Sequence, residues 1–161
     1  MTLTANGFFE QASEKHPIPN EILTDFGGFI MKYQNLVNGR KTFDMIRQGP
    51  SMSLFKAVEL VVISQQLQDA KDFQVVKSPK EALDYLDQKN FSTALIAGGA
   101  QLNSSFLSEG LVDELYLNIA PTLVNTGINL SLKYDREHDL ELMDTNKLGE
   151  HIMQLHYKII K

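Results

Sequence analysis

The chain has 161 residues, 43% of them hydrophobic and 22% charged, which suits one domain over residues 1–161 with a filled core and excludes disordered and fibrous classes. Lys and Arg number 15 against 20 Asp and Glu, a formal net charge of −5, and no basic run is long enough to track a phosphate backbone, so nucleic-acid binding is not expected. Cysteine is absent, excluding disulfides, thiolate zinc sites and thiol nucleophiles, and no run approaches the ~20 apolar residues that cross a bilayer, so no membrane association and a cytoplasmic protein are expected.

In chain order, residues 1–9 read as a short strand running into the turn pair Asn6-Gly7, and residues 11–19, with prolines at 17 and 19, read as a surface loop. Asn20 caps a predicted helix whose stripe is Ile22, Leu23, Phe26, Phe29 and Ile30. Residues 35–38 form a short strand stopped by Gly39, and Arg40 to Arg47 form a helical turn or two. Residues 59–64 have the continuous branched apolar character of a strand buried on both faces, and 73–76 repeat it in miniature. Ser78-Pro79-Lys80-Glu81 is a helix start with a capping serine, proline at the first turn and an acid three residues after the cap. Residues 93–97 read as a third buried strand, followed by Gly98-Gly99 and a helix from Ala100 that closes at Gly110.

After Gly110 the texture changes to strict alternation, with Leu115, Leu117 and Ile119 against Glu114, Tyr116 and Asn118, and the same rhythm over residues 152–159. The last third is therefore expected to be antiparallel, with residues 140–143 pairing with the final strand. The expected fold is α/β in three layers, α/β/α, with a central mixed sheet, parallel first and antiparallel at the C-terminus.

Candidate chemistry gathers at strand ends. A phosphate oxygen accepts from a main-chain N–H only at about 3 Å, and glycine clears the approach, so Gly98-Gly99 before a helix N-terminus suit an anion. Gly39-Arg40-Lys41-Thr42 offers glycine, two cations and a hydroxyl on another strand, and cations opening a helix oppose its dipole unless an anion is near. Ser64 ends the third apolar run, where open α/β sheets touch an adenosine ribose. Glu21 and Asp25, on the first helix, are the candidate proton donors. His16, His138, His151 and His156 have no metal-ligand spacing, and no Walker loop, nucleophile elbow or His-Glu-x-x-His stretch is present.

Gly39-Arg40-Lys41-Thr42-Phe43, the strand ending in Ser64, and Ala97-Gly98-Gly99-Ala100-Gln101-Leu102 running on to Gly110-Leu111-Val112-Asp113-Glu114-Leu115 resemble the dihydrofolate reductase-like superfamily. Within it the nearest match is the reductase domain at the C-terminus of RibD-type riboflavin-biosynthesis proteins, here standing alone. The resemblance implies an NADPH-dependent oxidoreductase of a small polar heterocyclic or carbonyl substrate, of the type of 5-amino-6-(5-phosphoribosylamino)uracil reductase. It implies that Gly39, Arg40 and Thr42 face the cofactor phosphates, Ser64 the adenosine side, and Gly98, Gly99, Ala100, Gln101 and Leu102 the pyrophosphate and nicotinamide. Asn6 and Gly7 fall at the substrate end, with Asn6 where the family usually has Asp. Gln65-Gln66 stand where a basic residue usually follows Ser64, which keeps NADH beside NADPH as a cofactor. A homodimer through the apolar strands from Leu140 onward is expected. The rival readings are a non-catalytic nucleotide-binding or sensing domain, and the fold used as an assembly module.

Overall fold

A computed structural model describes residues 1–9, 17–48, 55, 58–67, 72–129 and 137–161; His16 and most of the loop expected over 11–19 lie outside them. The chain divides into two compact units, Gly28–Ser105 on one hand and Met1–Gly27 with Phe106–Lys161 on the other. The boundaries fall inside helices α1 (Asn20–Tyr33) and α4 (Ala100–Ser108). The expected mixed sheet is resolved by its hydrogen bonding into two ladders, one in each unit.

The unit Gly28–Ser105 is built on a parallel sheet, β2 (Asn35–Gly39), β3 (Glu59–Ile63) and β4 (Gln74–Val76), in the order β2-β3-β4. Leu36, Val37, Leu60, Val61 and Val62 are buried, as continuous apolar runs covered on both faces require. Helix α2 (Arg40–Gln48) crosses from β2 to β3, and α3 (Pro79–Gln88) carries the chain from β4 back past β2 to residue 96. Right-handed crossovers in opposite directions place these helices on opposite faces, which makes three layers. Phe43 of α2 anchors one of them, its ring 4.6 Å from that of Phe73. Ser78 caps α3 as expected, its hydroxyl accepting from Glu81 N–H at 3.2 Å, while the Glu81 carboxylate accepts from Lys77 N–H at 2.9 Å.

Two expectations change in this unit and in α1. Leu23 is 49% exposed, because it stands one position off the Ile22–Phe26–Ile30 row that faces inward. Residues 93–97 are not a buried strand; they are a partly exposed extended segment with a single parallel bridge, Val37 to Ile96. The Asn35 side chain holds the start of the segment, donating to Thr93 O at 2.8 Å and accepting from Leu95 N–H at 2.9 Å, beside the backbone bonds from Val37 N–H to Leu95 O and from Ala97 N–H to Val37 O.

The other unit carries β1 (Thr2–Thr4), β5 (Glu114–Ala120), β6 (Leu140–Leu148) and β7 (Ile152–Ile159) in the order β1-β5-β7-β6. β1 runs parallel to β5, and the C-terminal pairs are antiparallel, with an irregularity between Leu142 and Asp144. Residues 140–143 pair with the final strand as expected, and the pairing continues to Leu148. The chain leaves α4 through Gly110 at φ +69°: Gly110 N–H donates to Leu107 O and Leu111 N–H to Phe106 O, each at 3.0 Å, the reversal that a glycine beyond a helix end allows. The alternation in β5 does not bury its apolar side alone. Asn118 is 7% exposed, whereas Leu115, Leu117 and Ile119 are only half-buried, because Asn118 sits opposite Gln154 and the two amides satisfy each other.

Candidate functional site

Strand register brings the Gly28–Ser105 candidates to one edge. Val37 is bridged to Ile96, Gly39 lies beside Ile63 and Ile63 beside Val76, so Gly98, Gly39, Ser64 and Lys77 follow one another along the carboxyl tips of neighbouring strands. A side chain on Gly39 would meet Leu102 Cβ at 3.7 Å, and one on Gly98 would meet Leu102 Cδ2 at 2.3 Å, so both glycines face the same first turn of α4. The approach that demands glycine at 98 is therefore the protein's own: Leu102 is packed into that space and is 8% exposed.

Thr42, in the first turn of α2, accepts from Gly99 N–H at 3.1 Å and so ties the two glycine segments together. Ala100 is buried and Gln101 is exposed at the start of α4, its carbonyl accepting from the Ser105 hydroxyl. Arg40 and Lys41 stand exposed at the opening of α2, with Arg40 in a loose 3.5 Å contact to Asp44 that holds little energy in solvent. Ser64 is buried and accepts from Gln66 and Leu67 N–H, which curls the chain back after β3. Two helix N-termini, hydroxyls and cations along one sheet edge form a donor set suited to a nucleotide's phosphates.

In the other unit, Asn6 is committed to its turn. Its amide donates to Val124 O at 2.7 Å and accepts from Val124 N–H and the Thr4 hydroxyl, while Gly7 takes φ +85°. Glu21 lies over the β6–β7 turn, against Gly149. Asp25 accepts from Gln154 Nε2 at 2.7 Å, and the same nitrogen donates to Asn118 Oδ1 at 3.0 Å, a chain of buried amides ending on a carboxylate. The Met1 amino group donates to Tyr116 O at 2.6 Å, and burial lowers its pKa from 8.0 to about 6, with Asp25 opposing part of that fall. An open cleft of about 580 Å3 runs beside Glu21, Thr24, Asp25 and Lys147. Gln154 and Asn118 escaped sequence reasoning, although two amides at the polar positions of two alternating strands were the available signal. His156 stacks on Tyr116 at 4.1 Å and pairs with Glu114, and no cluster among the described residues could hold a metal ion.

The sequence model of the RibD C-terminal domain matches residues 30–153, and the chain belongs to that family. It is 25% identical over 135 residues to the uncharacterized protein YwjB of Bacillus subtilis, covering 82% of this chain and 77% of that one. Its fold matches a pyrimidine reductase-like protein of Corynebacterium diphtheriae at TM-score 0.73 and 16% identity, over 99% of this chain and 90% of that one. It also matches Schistosoma mansoni dihydrofolate reductase at TM-score 0.68 and 21% identity, over 99% and 95%. The fold is thus dihydrofolate reductase-like, as the sequence motifs imply. No described helix is long and apolar enough to cross a membrane.

Proposed function

We propose that this chain is a nicotinamide-dependent reductase of a small polar heterocyclic or carbonyl compound, with NADPH as its cofactor. The observation that carries the reading is the meeting of Gly39, Thr42, Gly98 and Gly99 at the N-terminus of α4, on the carboxyl edge of a parallel sheet. The donor set fits a dinucleotide: Gly39, Arg40 and Thr42 would hold its phosphates from β2 and α2, Ser64 its adenosine side, and Gly98 to Leu102 the diphosphate and nicotinamide. Bound, that group supplies a hydride, so the chain needs no nucleophile and its work is orientation. In the unit Met1–Gly27 with Phe106–Lys161, Asp25, fixed by Gln154, is the candidate proton donor.

Isothermal titration of the chain with NADPH and NADH tests this. Saturable binding of a reduced dinucleotide, weakened by Thr42→Val, is the expected result; no binding of either overturns the reading. One observation favours a second reading, a nucleotide-binding domain without turnover. Asn6, where the family carries an acid, spends both ends of its amide on Val124. Oxidation of NADPH followed at 340 nm with a ribosylaminopyrimidine substrate separates the two.

A further inference from the structure

The chain contains two Asn-Gly pairs, Asn6-Gly7 and Asn38-Gly39. In such a pair no side chain on the second residue keeps its backbone nitrogen away from the asparagine's own carboxamide carbon. Attack there closes a five-membered succinimide and expels the amide nitrogen as ammonia, the glycine N–H proton leaving with it; water then opens the ring to aspartate or isoaspartate. The fold treats the two pairs differently. Asn38 is 0% exposed within β2, opposite Val62, where the extended backbone and the absence of solvent both oppose the reaction. Asn6 and Gly7 stand exposed in the turn after β1.

At that exposed pair both reacting groups are engaged. Gly7 N–H donates to Thr4 O at 2.9 Å. The Asn6 amide nitrogen, the leaving group, donates to Val124 O at 2.7 Å, while Oδ1 accepts from the Thr4 hydroxyl at 3.0 Å and from Val124 N–H at 3.3 Å. Ala5 N–H adds a bond to Thr122 O at 2.9 Å, so the turn is clamped to residues 122–124. Leu123, between them, is 76% exposed, and a clamp of a few solvent-facing hydrogen bonds opens locally without unfolding the sheet.

We propose that Asn6-Gly7 is a spontaneous deamidation site of the native chain, gated by the Val124 clamp. Each opening frees Gly7 N to attack Asn6 Cγ, and the change runs one way. An aspartate oxygen in place of Nδ2 faces Val124 O with no proton between them, and isoaspartate inserts a carbon into the main chain between the Thr4 and Phe8 hydrogen bonds, so neither product rebuilds the clamp. Conversion adds a negative charge at residue 6 and releases residues 122–124 from the turn.

Incubation of the full chain at mildly alkaline pH, folded and in concentrated urea, followed by peptide mapping with mass detection and isoaspartate assay, tests this. In urea both pairs should convert, whereas the folded chain should convert Asn6 alone, roughly tenfold or more slowly than in urea. Thr4→Val removes the hydroxyl bond to Oδ1 and should speed conversion of Asn6 in the folded chain. Should Thr4→Val fail to fold, urea below the unfolding transition takes its place, and it should speed Asn6 while sparing Asn38. A folded chain that keeps Asn6 intact while the unfolded chain converts has a clamp that never opens, and overturns the proposal. Equal rates for Asn6 in the two states, or a rate indifferent to both Thr4→Val and low urea, overturn it as well.

Discussion

A methyl group on Gly98 would stand 2.3 Å from Leu102 Cδ2 and 2.9 Å from its Cβ, whereas one on Gly99 would meet Thr42 Oγ1 at an ordinary 3.7 Å. The distal methyl of Leu102 can turn away, but its Cβ moves only with the first turn of α4. Gly98→Ala is therefore expected to cost about 1–3 kcal/mol in urea denaturation, as overpacking of a filled space does. Gly99→Ala should cost measurably less. Equal midpoints for the two variants would show that Leu102 repacks freely. At the same scale, the carboxamide of Gln154 binds Asp25 and Asn118 through a single nitrogen, so Asp25 is oriented from the sheet and not only by its own helix.

At the scale of the element, local signals decided what was legible. The start of α2 directly after Gly39, the cap of α3 and the glycine end of α4 depend on residues within a few positions of each other, and all three were readable in sequence. Ser78→Ala should cost about 1 kcal/mol, read as a lowered midpoint in thermal or chemical unfolding, because it removes the acceptor for Glu81 N–H. What sequence could not give was partnership at a distance. Residues 93–97 have the composition of a strand, yet Asn35, 58 residues before Thr93, holds their start through its side chain. The alternation of β5 does not say which side is covered, and only the register with β7 shows that Asn118 finds Gln154 and is buried. The candidate site divides in the same way. The glycine ends and Thr42 were visible as motifs, while the amides behind Asp25 lie on other strands and had no local mark.

At the scale of the molecule, β6 is the open edge of its sheet, exposed from Leu140 to Lys147, with Leu140, Leu142 and Met143 between 42% and 53% exposed. A long edge strand with such side chains is a template for another strand. We propose that a second copy of this chain covers it. An antiparallel approach of β6 to its own copy is closed by a twofold axis. Sedimentation equilibrium should then report twice the 18.2 kDa chain mass, and Leu142→Lys should shift the population toward the single chain. A wild-type sample that stays at 18.2 kDa across concentration overturns the proposal.

The turn joining β6 to β7 has a practical consequence for anyone who would modify this protein. Short, exposed and between two strands, it is where an epitope or a fluorophore would ordinarily be grafted. Gly149 holds φ +62°, and a Cβ there would strike the Glu21 side chain at 2.7 Å, so cargo at this position would press on the opening turn of α1, four residues from Asp25.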